Sequence, residues 1–176
     1  MGYTTDFSGK FDIDRPLAPE HKSYLEAFAY TRRMKRDPAK TEQRPDPVRL
    51  AAGLPVGHDG GYFVGAIGDY GQEYPVGSPW GGTADDLLDY NLEPGGQPSL
   101  WCQWVPTEDG TAIEWNGTEK FYSYIEWLEY LIEHFLGPWG YSLNGEVKWK
   151  GEDRGDRGTI TVRNNAVLIV RGRHAR

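Results

Sequence analysis

Cysteine is nearly absent. Cys102 is the only one in 176 residues, which excludes an internal disulfide framework and any zinc site built on cysteines. No apolar run approaches the roughly 18 residues of a membrane span, and none follows the start, so neither a spanning helix nor a signal peptide is expected. The signatures of common chemistry are missing too. There is no Gly-x-Ser-x-Gly elbow, no glycine-rich phosphate loop followed by Lys-Ser/Thr, and no dinucleotide fingerprint. His21, His58, His134 and His174 are too scattered to form a ligand motif. Cys102 sits in an apolar stretch, where a thiol is usually inert packing. No cofactor and no metal are expected. Lysine and arginine are also missing from residues 50–99 altogether.

What the chain does contain is breakers and rings: 23 glycines, 12 prolines, and 7 Trp, 11 Tyr and 6 Phe. Its net charge of −7 argues against bulk nucleic-acid binding. These features are unevenly spread. Residues 37–99 hold ten acids against three bases, so the whole charge excess lies there, together with 20 of the glycines and prolines. Tyr62, Phe63, Tyr70, Tyr74, Trp80 and Tyr90 are interleaved with them, and such aromatic content argues against simple disorder. The length suits one domain, 1–176, carrying an acidic Gly/Pro-rich insertion at 37–99.

Outside that insertion the patterns are regular. Tyr3 to Asp14 alternates as a half-buried strand, with Gly9 marking a candidate bulge. Pro19 and Glu20 open a helix that runs to about Arg36, where Pro38 stops it. Inside the insertion, Gly61–Ile67 reads as a short strand. Thr83–Tyr90 reads as a short helix with Thr83 and Asp86 in a capping box. Leu100–Val105 and Thr111–Trp115 read as strands joined at an Asp-Gly turn. Glu119–Leu136 reads as the second helix, ended by Gly137-Pro138. Tyr141 to Lys150 alternates again, and residues 159–162 with 167–170 close the chain as a last strand or a hairpin around Asn164-Asn165. The expected architecture is α+β: two helices packed on one mainly antiparallel sheet. Its β-α-β-β-α-β order is ferredoxin-like, with an extra C-terminal strand and the long insertion.

The candidate functional residues fall into two groups. Arg32 and Arg36 would share one face of the first helix and clamp a phosphate or carboxylate; equally, such cations complement a helix C-terminus. Trp127, Tyr130 and His134 lie off the core stripe of the second helix, near Glu133. They form either a ligand face or a secondary core under the insertion. Trp101 and Trp104, at odd spacing, point to opposite faces of their strand, so one of them is either covered by a loop or left for stacking. Together Arg32, Arg36, Trp104, Trp127, Tyr130, Glu133 and His134 could line a cleft for a nucleotide-like small molecule. The second group is Asp85, Asp86 and Asp89 with Trp80, an acidic and aromatic surface suited to a basic protein partner.

The runs Leu100–Gly110 (LWCQWVPTEDG), Glu129–Leu136 (EYLIEHFL), Pro138–Glu146 (PWGYSLNGE) and Thr31–Arg36 (TRRMKR) carry a likeness. The chain resembles a family of small uncharacterised proteins of bacterial, notably actinobacterial, genomes and their phages. The resemblance covers both ends and the second half, and residues 37–99 lie outside it. It implies a cytoplasmic, phage- or prophage-encoded protein and carries over no catalytic residue. The function expected is non-enzymatic binding of a host macromolecule through the acidic aromatic surface. The alternative is binding or hydrolysis of a small molecule in the cleft between the helices and the insertion.

Overall fold

The computed structural model describes residues 2–66 and 74–172. The chain runs through β1 (Thr5–Ile13), α1 (Pro19–Tyr30), β2 (Lys35–Arg36), α2 (Pro38–Thr41), α3 (Pro47–Ala51) and β3 (Leu87–Asp89). It continues through β4 (Trp104–Pro106), β5 (Ala112–Trp115), α4 (Tyr124–Leu131), β6 (Leu143–Gly151), β7 (Arg157–Arg163) and β8 (Ala166–Arg171). It divides into two compact units: Met1–Ala18 with Gln103–Arg176, and Pro19–Cys102. Among the described residues no helix is long and apolar enough to cross a membrane.

The first unit is a six-stranded sheet in the order β4-β5-β1-β6-β7-β8, antiparallel throughout. Alternation along β1 and β6 directs Phe11 and Ile13, and Leu143, Val147 and Trp149, inward while Asp6, Ser8, Lys10, Glu146, Lys148 and Lys150 face out. Aromatic rings fill the inner face. Phe7 meets Trp104, Phe121 and Tyr124 at centroid distances of 5.4, 5.7 and 4.9 Å. Each such contact adds about 0.5–1.5 kcal/mol beyond the area it buries. Gly9 is not a bulge: β1 pairs with β6 without a register shift from Thr5↔Gly151 to Ile13↔Leu143. Its φ of +103° and the Glu146 carbonyl 2.7 Å from where a Cβ would sit explain the glycine instead. The β7–β8 turn uses Asn164 and Asn165 at φ of +47° and +68°, the pair of left-handed residues a tight hairpin demands. The Asn165 side chain accepts from the Leu143 amide and donates to the Tyr141 carbonyl, tying the turn to the start of β6.

The second unit is mostly irregular chain around α1, α2, α3 and the small β2–β3 ladder. Within it α1 packs against α3. The architecture corrects the expected fold. The chain is mostly sheet with four short helices among the described residues, not two helices on one ferredoxin-like α+β sheet. Only α4, which continues as a π-helical turn over Ile132–Leu136, belongs to the unit that holds the large sheet.

Long-range bonds account for the individual differences. The first helix ends at Tyr30 rather than Arg36, because the Arg33 amide donates to the Leu100 carbonyl and the Lys35 amide to the Leu92 carbonyl. The expected helix at 83–90 is replaced by β3, paired with β2 and preceded by Asp37 N–H donating to the Asp86 carbonyl. The second helix starts only at Tyr124, since Lys120 and Ser123 take left-handed φ of +63° and +56°. The expected strand at Leu100 to Val105 shrinks to Trp104–Pro106. The expected strand from Gly61 is no strand as far as Ala66, and Ile67 lies outside the described residues.

Candidate functional site

The stretch from Gly61 to Gly65 shows how the second unit is held. Phe63 and Val64 are buried, yet no strand pairs with them among the described residues. Side chains do a ladder's work. Arg33, itself buried, donates to the carbonyls of Thr31, Gly61 and Phe63 at 3.0, 2.9 and 2.8 Å. Asp46 accepts from the amides of Val64 and Gly65 at 3.4 and 3.1 Å and from Arg49 Nε. Asp86 is wholly buried and accepts from Arg36 at 2.9 Å, Thr41 at 2.7 Å and Arg44 at 3.1 Å. The Arg36 and Arg44 guanidinium groups also lie 4.4 and 4.8 Å from the centroid of the Phe63 ring. Buried cations are thus satisfied by carbonyls, carboxylates and a ring face, the pairing such burial requires.

The two buried carboxylates are tuned in opposite directions. Burial alone would raise the Asp86 pKa, but the Thr41 hydroxyl and the Arg36 and Arg44 charges outweigh it and hold the group below its ordinary value. For Asp46, burial prevails over Arg49 and the two backbone amides, and its pKa is raised.

This bracing moves several candidates away from their expected roles. Arg36 is committed to Asp86 in the interior. Arg32 donates to the Tyr90 carbonyl and to Asn91 Oδ1, with its guanidinium 4.3 Å from the centroid of the Tyr90 ring. The helical spacing that would have aimed both at one anion is gone, since α1 ends before either. Asp86 leaves the surface set, because its carboxylate faces the unit's own cations and not solvent.

In the sheet unit, Trp104 is buried and donates its indole N–H to the Tyr124 carbonyl at 2.8 Å, so it offers no stacking shelf. Trp101 is half-buried and precedes the strand. Trp127 and Tyr130 are buried with their rings 5.4 Å apart, and His134 stacks on Tyr130 at 4.0 Å. Burial lowers the His134 pKa, while the exposed Glu133 works the other way. Trp127 and Tyr130 are interior packing, and His134 lies half-buried against the Tyr130 ring. Of the two readings the sequence left open for these residues, the burial of Trp127 and Tyr130 fits a secondary core. An open depression lined by Lys10, Thr107, Glu108, Asp109 and Glu114 flanks the β4–β5 turn. There the Thr111 and Thr107 hydroxyls and the Thr111 amide hold Asp109 at about 2, so its carboxylate is engaged in closing the turn. His174, Asp69, Tyr70 and Glu73 lie outside the described residues. Among the described residues no group of three or more His, Cys, Asp or Glu is placed to hold a metal ion.

What stays accessible is the stretch 74–92. Pro75 and Ala84 form an isolated bridge, with the Val76 amide donating to the Ala84 carbonyl and the Ala84 amide to the Tyr74 carbonyl. Trp80 is carried on the loop so closed and is 75 % exposed, with Val76 at 63 % and Leu88 at 61 %. Asp85 and Asp89 are exposed on the same stretch. Tyr74 and Tyr90 stack at 5.3 Å and draw its two ends together. The signal that sequence reading missed is Arg33. An arginine buried at a helix exit looks like any other member of a basic run.

Compared with protein-family models, curated proteins and solved structures, the chain matches none.

Proposed function

We propose that this is a non-enzymatic binding protein that engages a basic surface of a host protein through the Trp80 loop and the carboxylates of Asp85 and Asp89. The observation that carries the reading is the exposure of Trp80, at 75 %, in a protein that buries Trp104, Trp127 and Trp149. Tryptophan is the most enriched anchor at protein interfaces, and leaving one in water costs a monomer solubility with no return. Its setting gives the partner's chemistry. The chain has no lysine or arginine from residue 50 to 99, so the exposed Asp85 and Asp89 give the Trp80 stretch a local acidic character that would steer cationic surfaces to it. The resemblance to bacterial and phage proteins supports seeking that partner in a bacterial host.

The test is a photo-crosslinking residue in place of the exposed Val76, which leaves Trp80 intact, activated in host lysate, with the captured protein identified by mass spectrometry. The expected result is one basic protein whose capture falls with added salt and with Asp85→Asn plus Asp89→Asn. Capture indifferent to both would overturn the reading.

A further inference from the structure

The two edges of the large sheet differ. β4 is only three residues long and ends in Pro106, which has no amide to offer. β8 is six residues long, reads Ala-Val-Leu-Ile-Val-Arg, and pairs with β7 without a bulge from Arg163↔Ala166 to Gly158↔Arg171. It carries no proline, no bulge and no charge before Arg171, so the strand itself lacks the residues that usually blunt an edge. Its outer face is anomalous too. Across the sheet, the row through Lys10, Glu146 and Thr161 and the row through Ser8, Lys148 and Thr159 are polar until they reach Leu168 and Val170. Those two are 53 % and 62 % exposed.

We infer that β8 pairs antiparallel with β8 of a second copy of this chain, joining two sheets edge to edge about a two-fold axis. The Gly172 amide donates to the Arg157 carbonyl. By alternation, Val170, Leu168 and Ala166 direct their backbone groups at β7, and Val167, Ile169 and Arg171 direct theirs outward. A two-fold axis normal to the sheet keeps each residue on its own face, so residues of equal parity meet. In the register centred on Ile169, Ile169 faces its own copy and Leu168 faces Val170 of the second copy. Val167 faces Arg171, and every outward amide and carbonyl of the strand is used. Like charges are kept apart, because the two Arg171 side chains lie at opposite ends of the ladder. β8 against β4 of another copy would instead grow an open filament, and Pro106 with the shortness of β4 disfavours it. A single strand edge is a small contact, below the roughly 1,200 Å² of standard interfaces, so the dimer is a reversible one.

The test joins concentration-dependent sedimentation of the full chain with residue-resolved amide exchange. The expected mass rises reversibly from one copy to two and stops there. The amides of Val167, Ile169 and Arg171 slow by about tenfold or more as the dimer fills, while those of Leu168 and Val170 are protected at every concentration. Leu168→Lys with Val170→Lys, both at exposed positions, abolishes the mass change and leaves the β7-facing amides protected. A chain that stays monomeric at its highest soluble concentration, with fast exchange at the three outward amides, overturns the inference. So does growth past two copies, or slow exchange at those amides only when a different protein is added. The wild-type exchange pattern decides the matter even if the lysine variant does not fold.

Discussion

The two units are built on different physics. In the sheet unit the interior is rings on a pleated surface: Phe7, Phe11, Trp104, Phe121, Tyr124 and Trp149 pack edge to face or tilted, and backbone polar groups are satisfied by strand pairing. In the Pro19–Cys102 unit little strand pairing is available, and Arg33, Arg36, Arg49, Asp46 and Asp86 are buried to satisfy the backbone and one another. The first solution tolerates loss of one contact by degrees. The second is all-or-none locally, because a removed partner leaves a charge in the interior. It is also compatible with an acidic, glycine- and proline-rich sequence that cannot supply long periodic apolar runs.

That contrast can be broken most forcefully at Asp86. Asp86→Ala removes the buried carboxylate that accepts from Arg36, Thr41 and Arg44, and is expected to cost about 3–5 kcal/mol, read as lost amide protection in the second unit. Trp104→Ala should cost a similar amount, about 3–5 kcal/mol, read in the sheet unit. The difference emerges in the double change. Arg36→Met with Asp86→Leu removes both charges and should be less damaging than Asp86→Ala alone, whereas no second truncation rescues Trp104→Ala. Additive losses at Arg36 and Asp86 would show that the ionic account of this core is mistaken.

A smaller effect sharpens the contrast through pH. Asp86 has a folded-state pKa below its ordinary value, so its contribution is present above that value and is lost as pH falls through the folded pKa. Asp46 has a raised one, so its contribution is present at acid pH and is lost as pH rises through the folded pKa. The damage done by Asp86→Asn should therefore shrink on acidification, while that done by Asp46→Asn should grow. Thermal melts of both variants from neutral to acid pH check this, and parallel curves would contradict it.

How much of this could be read from the sequence follows the same division. The sheet unit announced itself where side chains alternate, at Phe11–Ile13 and Val147–Trp149, and where Asn164-Asn165 demands a tight hairpin, because those signals are local. The second unit did not. The helix through Arg36 looked continuous until the amides of Arg33 and Lys35 found carbonyls at Leu100 and Leu92. Thr83 and Asp86 had the spacing of a capping box, yet Asp86 answers to Arg36, Thr41 and Arg44 from far along the chain. Partners that distant leave no trace in a local window. At the candidate surface, charge and aromatic content single out a stretch, but only burial separates the exposed Asp85, Asp89 and Trp80 from Asp86.

The smallest expected effect on stability carries the most functional weight. Trp80→Ala, Asp85→Asn and Asp89→Asn alter exposed side chains and should each shift stability by less than about 0.5 kcal/mol. The decisive measurement is titration of the crosslinked partner against wild type and this triple variant, with the melting temperature of each recorded alongside. The account predicts an affinity reduced by about tenfold or more at an unchanged melting temperature. Undiminished affinity in the triple variant would contradict it.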